Sequence, residues 1–329
     1  MLVEYKIVMY YLVNVRKSSM YLLKKYIESI REFGTIFTTL KIFYLILKKL
    51  NIANENSYNK IILWYIKKHY SKYIDNNYTS NINTQDYKVF VCWWQGLNEH
   101  TPEIVKCCIN KIKTVFNNHE VIVIDKNNLS QYTRIPSYII EKKDKGLISL
   151  THFSDVIRFH LLSEYGGCWI DSTCWVEKGI EEEISSFDFY TNKIRQENGM
   201  LGYISLGRWS GFFLKTSKEN IIVNNVKTML DKYWNEHNKI IDYLLFDYFI
   251  EIMYLLSPKA KKIIDGVPYN NEFIHELILH LKEEYDPNYY SNLICKTKIF
   301  KLTYKKDYSD RCANSYYDVI VRKAVCQEK

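Results

Sequence analysis

Between Ser149 and Thr173 the chain reads SLTHFSDVIRFHLLSEYGGCWIDST, and three ionic side chains in it stand at spacings that can do chemistry: Asp155, Arg158 and Asp171. Asp155 and Arg158 are three residues apart, so on a helix they share one face. A guanidinium is a fixed, permanently charged fork suited to phosphate or carboxylate, and a carboxylate accepts hydrogen bonds from hydroxylated ligands. The same spacing also describes an ordinary intrahelical ion bridge on a surface helix. The sequel favours a site: Gly166 and Gly167 let the chain reverse tightly, and one short apolar strand later Asp171 emerges at a strand end. The three groups then converge on one pocket.

Such positions need particular elements. Ser149 to Tyr165 reads as a helix with Val156, Phe159 and Leu162 toward the core, stopped by the two glycines and followed by a strand, Cys168 to Ile170. Upstream, Lys88 to Trp93 is a short β-type run, Thr101 to Phe116 a helix opened by threonine and proline, and Glu120 to Ile124 a second strand ending at Asp125. Strand, helix, strand implies a parallel βαβ unit. Ligands of such sheets bind at the carboxyl ends of the strands, so Gln95, Gly96 and Asp125 fall where a nucleotide could sit. Neither GxGxxG nor GxxxxGK[ST] occurs, which excludes a dinucleotide fingerprint and a P-loop. Trp93 and Trp94 point to opposite faces of their strand, so at most one lines a pocket at the strand end.

Downstream, helical patterns run from Ser217 to Trp234 and from Asp242 to Leu256. Asp247 lies inside the apolar run YLLFDYFI, where a lone carboxylate is costly unless it finds a partner or faces a cleft. Trp209 and Tyr269 are core aromatics or stacking platforms for a ligand ring. His100 and His160 have no ligand-type neighbours and read as structural.

The first 81 or so residues are rich in Leu, Ile, Tyr and Lys, with one glycine and no proline, and read as several helices. From Ile36 to Leu50, Phe37, Leu40, Tyr44 and Leu47 recur at helical steps beside Lys41, Lys48 and Lys49, the pattern of a helix packed on the main domain or lying on a membrane. The polar run DNNYTSNINTQ at 75–85 separates this part from the rest, giving an N-terminal helical region, 1–82, and an α/β domain, 83–329. The whole chain has 329 residues, 47% of them hydrophobic, enough for a large core; its net charge of +8 suits an anionic ligand or acidic membrane but is too dilute for nucleic acid. Eight cysteines form no CxxC pair, and no signal peptide or long apolar span is evident. We therefore expect a reduced, cytoplasmic protein, peripheral at most to the inner face of the cell membrane.

Ser154, Asp155, Arg158, Leu161, Leu162, Gly166, Gly167, Trp169 and Asp171 together resemble the SDxxRxxxLxxxGGxWxD signature of glycosyltransferases with DxD-type motifs. The match is most similar to bacterial capsular polysaccharide synthesis proteins, themselves similar to Och1-like mannosyltransferases and, more distantly, to the large clostridial glucosylating toxins. Trp93, Trp94, Gln95, Gly96 and Pro102 resemble the opening WxQG...P segment, Val121 to Asp125 the second strand, and KLTYK, Lys301 to Lys305, the C-terminal pattern.

The resemblance implies a GT-A fold, a Rossmann-like nucleotide-sugar-binding α/β sheet flanked by helices. It implies Asp155, Arg158 and Asp171 as catalytic residues, with Asp171 near the metal and ribose, and Trp93, Gln95, Gly96, Asp125, Ser154, Gly167, Lys301 and Lys305 around a UDP- or GDP-sugar. Trp209, Asp247 and Tyr269 are the acceptor-side candidates. Where a DxD motif has its second acid this chain has Thr173, so Mn²⁺ or Mg²⁺ would rest on Asp171 and Thr173, a weak donor set for a hard cation. Where Och1-like relatives place a histidine, it has Lys301 and Lys305, which could neutralise the leaving phosphate themselves. The expected function is retaining transfer of a sugar to a lipid-linked glycan in capsular or surface polysaccharide synthesis. With no evident nucleophile or base, front-face displacement follows. The rival is a catalytically inactive sugar-nucleotide or glycan binder of the same fold.

Overall fold

The computed structural model describes residues 22–78, 87–195 and 203–322. The chain is helical over 22–33, and two further helices, α1 (Thr35–Lys49) and α2 (Glu55–Tyr70), pack against each other. Asn54 caps α2, its side chain accepting from Ser57 N. Phe37 of α1 and Ile62, Tyr65 and Ile66 of α2 belong to the same hydrophobic cluster as the strands that follow. The boundary expected between 82 and 83 lies outside the described residues, as does most of the polar run before it.

The strand β1 (Val89–Cys92) is apolar throughout, the pattern of a strand covered on both faces. It pairs in parallel with β2 (Val121–Ile124), Val89 opposite Val121, and with β3 (Gly167–Ile170), Val89 opposite Cys168. The crossover helix α3 (Glu103–Val115) starts directly after Pro102, and turns Val105, Ile109 and Ile112 toward the sheet. Its other apolar face, Ile104, Cys107 and Cys108, packs with a second cluster that includes Phe300 and Tyr317. The helix α4 (Leu150–Tyr165) is capped by Ser149, whose hydroxyl accepts from His152 N, and leads through the two glycines into β3.

Those glycines are required by contacts the sequence does not reveal. A Cβ on Gly166 would sit 2.6 Å from Lys218 N, and one on Gly167 would sit 2.3 Å from Lys88 O; both residues have positive φ. The chain therefore turns from helix to strand where two other backbones press against it.

Beyond β3 the sheet becomes mixed. After β4 (Cys174–Val176) come β5 (Phe189–Thr191) and β6 (Phe213–Thr216), and β6 runs antiparallel to β3, Ile170 opposite Phe213, so the sheet order is β2-β1-β3-β6-β5. The helices α5 (Ile221–Glu236) and α6 (Leu245–Leu256) begin later than their patterns suggested. Asn220 caps α5 through its side chain, and Asp242 accepts from Leu244 N in a turn before α6. A strand near the end of the chain, β7 (Ile299–Lys301), pairs antiparallel with β4 in a separate small sheet, Lys301 opposite Cys174. No helix among the described residues is long and apolar enough to cross a membrane.

Candidate active site

Arg158 projects from the buried face of α4 and is 5% exposed, so it is no surface ion bridge. Its Nη1 donates to Asp155 Oδ1 at 2.7 Å and its Nη2 to Asp171 Oδ1 at 3.3 Å. The Trp169 indole N–H also donates to Asp171 Oδ1, at 2.9 Å, and Lys301 Nζ donates to Asp171 Oδ2 at 2.7 Å. The guanidinium lies between the Trp169 and Phe246 rings, 5.0 and 5.3 Å from their centroids. Asp155, Arg158 and Asp171 are thus gathered as their spacing suggested, and Lys301 joins them from 130 residues downstream.

Each member is set there by an element. Asp171 ends β3, held where its N–H donates to Phe212 O as β6 approaches. It also opens a tight turn, Cys174 N donating to Asp171 O, which starts β4. Since β7 pairs with β4, the register that sets Lys301 opposite Cys174 brings its ammonium to the start of that turn. Gly211 is needed beside them: a Cβ there would lie 2.4 Å from the Phe246 ring and 3.2 Å from Arg158 Nη1.

The cluster forms one wall of a cavity of about 700 Å³, which also takes in Trp209, Phe246, Asp247, Tyr243 and His275. A cavity of this size suits a small organic ligand. Asp247 stands in the first turn of α6, and its Oδ1 accepts from Trp209 Nε1 at 2.7 Å. The neighbouring Arg208 bridges Glu251, one turn along α6, at 2.5 Å. Three buried polar atoms on cavity residues, Arg158 Nε, Asn192 Nδ2 and Ser210 Oγ, have no hydrogen-bond partner among the described residues, a cost that a polar ligand would relieve.

Burial and charge set the protonation. Burial raises the Asp155 carboxyl to about 6, Arg158 only partly opposing it, and raises Asp247 to about 7 despite the indole hydrogen bond. Asp171 goes the other way. Burial would raise it, but Lys301 and Arg158 together outweigh that and hold it below the usual carboxylate range. Burial in turn opposes the charge on Lys301, and Asp171 more than restores it.

Several expected site residues are not brought to this cavity. Gly167 sits at the opposite end of β3, where its missing side chain admits Lys88 rather than a ligand. Tyr269 is 60% exposed, with Lys193 and Arg195 stacked on its ring. Lys305 is exposed. Trp93 packs edge-on against Tyr304, and Trp94 against Phe153. Gln95, Gly96 and Asp125 do lie past the carboxyl ends of β1 and β2, beyond the cavity wall. There Asp125 Oδ1 accepts from Asn127 N and Asn128 N, and its Oδ2 is 3.3 Å from where a Cβ on Gly96 would stand. Ser154, on the same turn of α4 as Asp155, bonds to Cys92. Gly211, Phe212, Tyr243 and Phe246 were not singled out; a glycine amid the aromatics of WSGFF was the available signal of a close approach.

A divalent cation does not fit Asp171 and Thr173 as they stand. Both Asp171 oxygens already accept from Lys301, Arg158 and Trp169, so a dication would have to displace an ammonium and sit beside a guanidinium. Thr173, 8% exposed, lies inside the 171–174 turn. Among the described residues no group of three or more His, Cys, Asp or Glu is placed to hold a metal ion.

The chain is an α/β protein with an ionic cluster at the carboxyl end of a mixed sheet, opening on a polar and aromatic cavity. The chain belongs to the capsular polysaccharide synthesis protein family, whose profile matches residues 41–320. None of the curated proteins matches it. A solved structure titled PaToxG Glycosyltransferase is similar at 14% identity and a TM-score of 0.34, over 73% of this chain and 94% of that one, too distant a likeness to argue from.

Proposed function

We propose that the protein is a glycosyltransferase of GT-A type that moves a sugar from a UDP- or GDP-sugar to a lipid-linked glycan at the inner leaflet, within capsular or surface polysaccharide synthesis. The observation that carries this is the cluster of buried Asp155 and Arg158 with half-buried Asp171 and Lys301 on one wall of the cavity. As the bond from the anomeric carbon to the diphosphate breaks, its electron pair goes to a phosphate oxygen, and a cation already aimed there lowers the barrier. Lys301 has a flexible stem and is one-quarter exposed, so it exchanges Asp171 for phosphate, freeing that carboxylate to accept from a ribose or sugar hydroxyl. Arg158 is fixed between two rings and keeps the carboxylates oriented.

Asp247 and Trp209 line the same cavity and are the acceptor-side contacts in this reading. Retention of configuration is part of it, with the leaving phosphate assisting on the same face of the sugar. Family membership supports a role in polysaccharide synthesis. The test is release of UDP or GDP from a panel of nucleotide-sugars, with product anomers followed by NMR. Binding of a nucleotide-sugar without hydrolysis or transfer under any acceptor condition would favour the inactive binder.

A further inference from the structure

The outer face of α1 is anomalous for a helix at a protein surface. Its inner side is buried through Phe37 and Tyr44, yet Ile36, Phe43, Ile46 and, just beyond it, Leu50 share one face and are each more than half exposed. A contiguous apolar face is normally covered, and nothing among the described residues covers this one.

Charge narrows what those surroundings are. No acidic residue occurs between Thr35 and Ala53, whereas Lys48 and Lys49 close the helix. The nearby acids are engaged on the protein side: Glu28 with Lys239, Glu32 with the backbone of Asn238 and Lys239, and Glu55 with Lys48. On α2, the partly exposed Trp64 lies under Lys68, 5.3 Å from its ammonium, an aromatic and cation combination suited to an interface between water and lipid. An exposed apolar stripe flanked by lysines and free of acid complements an anionic bilayer; a second copy of the same face would set lysine against lysine.

The inner side of the same helix adjoins the cavity. Asp242 bonds to Tyr58 of α2 and attracts Lys41 of α1, and the next two residues, Tyr243 and Leu244, are part of the cavity wall. Tyr243 is 64% exposed. We propose that the outer face of α1 seats the protein on an anionic membrane surface. The membrane contact does not rest on the proposed transfer to a lipid-linked acceptor.

The test is flotation of the full chain with phosphatidylcholine vesicles, with and without 30% phosphatidylglycerol, at low and high salt. The expected result is binding to the anionic vesicles that weakens with salt. It should fall at least tenfold in a Phe43→Ser, Ile46→Ser double variant, and lose its preference for anionic lipid in Lys48→Glu, Lys49→Glu. The Phe43→Ser, Ile46→Ser variant should keep the parent's circular dichroism and melting temperature, since its altered side chains are exposed; Lys48→Glu also breaks the pair with Glu55, so the lysine variant is compared only where its circular dichroism matches the parent's. Failure of the parent to float, or undiminished flotation of the Phe43→Ser, Ile46→Ser variant, overturns the proposal. A dimer in light scattering that the same variant dissociates, without vesicle binding, would assign the face to a second copy. Because flotation needs no donor, a chain that floats but never cleaves a nucleotide-sugar fails as a transferase and not as a membrane binder, and one that cleaves but never floats does the reverse.

Discussion

Arg158 is the residue on which most of the site's geometry depends, because one guanidinium touches two carboxylates while stacked between two rings. Truncating it, or Asp155, leaves a buried charge uncompensated, which costs on the order of 3–5 kcal/mol. Alanine would therefore confuse folding with function. Arg158→Lys keeps the charge but loses the planar fork, and Asp155→Asn keeps the shape; each should reduce donor turnover at least a hundredfold while circular dichroism stays that of the parent. Turnover within threefold of the parent would make the pair purely structural. Lys301→Ala should reduce turnover comparably and let the Asp171 carboxyl rise, since its strongest attractive partner is gone. In the same assay EDTA should leave the parent unchanged; loss of activity with EDTA, restored by Mn²⁺, would return the metal to Asp171. Asp155, Arg158 and Asp171 were legible because their spacing lies within one helix, one turn and one strand. Lys301 was legible through the resemblance of KLTYK to a family pattern, not through spacing, since its position depends on strand register 130 residues away.

At the scale of elements, local pattern was informative where neighbours in sequence are neighbours in space. The β1, α3, β2 unit and the α4 to β3 passage read directly from apolar runs, caps and the two glycines. The antiparallel strand β6 did not, because FLKT carries a lysine in a fully buried strand, its ammonium satisfied by Phe187 O. No periodicity reports a buried lysine whose partner is a distant carbonyl. The glycines offer a sharper test of close approach than of flexibility. Gly167→Ala would force a Cβ onto Lys88 O at a residue with φ near +90°, and should destabilise the fold by more than about 2 kcal/mol. Gly211→Ala instead meets the movable Phe246 ring and Arg158. Its expected effect is a smaller loss of stability, within about 1–2 kcal/mol, with a much larger loss of donor turnover. Paired urea melts and turnover assays separate the two; a strongly destabilised Gly211→Ala or an unaffected Gly167→Ala would mean that the approach distances do not govern these turns.

Across the whole molecule, the raised carboxyls of the cavity couple the site to stability. Asp155 and Asp247 have folded-state values of about 6 and about 7, above the 3.8 of a free aspartate, so between those limits the folded chain holds more protons than the unfolded one. Their contribution is fully present below about pH 4 and is lost as pH rises through 6 and 7. Asp171 is depressed and works in the opposite sense, its contribution present above the free value and lost in acid. Replacing Asp247 by Asn keeps an acceptor for Trp209 Nε1 while removing the titrating group. The variant should therefore gain stability over the parent as pH rises from 5 to 8, by on the order of 1–3 kcal/mol, with the difference fading below pH 5. Melting curves of the two proteins across that range check the sign: a parent that gains on the variant with rising pH would mean that Asp247 is ionised without cost, held by a partner stronger than the indole. If the sign is as argued, the cavity keeps a carboxylate that the fold would be more stable without, which is the pattern of a residue retained for a ligand and not for stability.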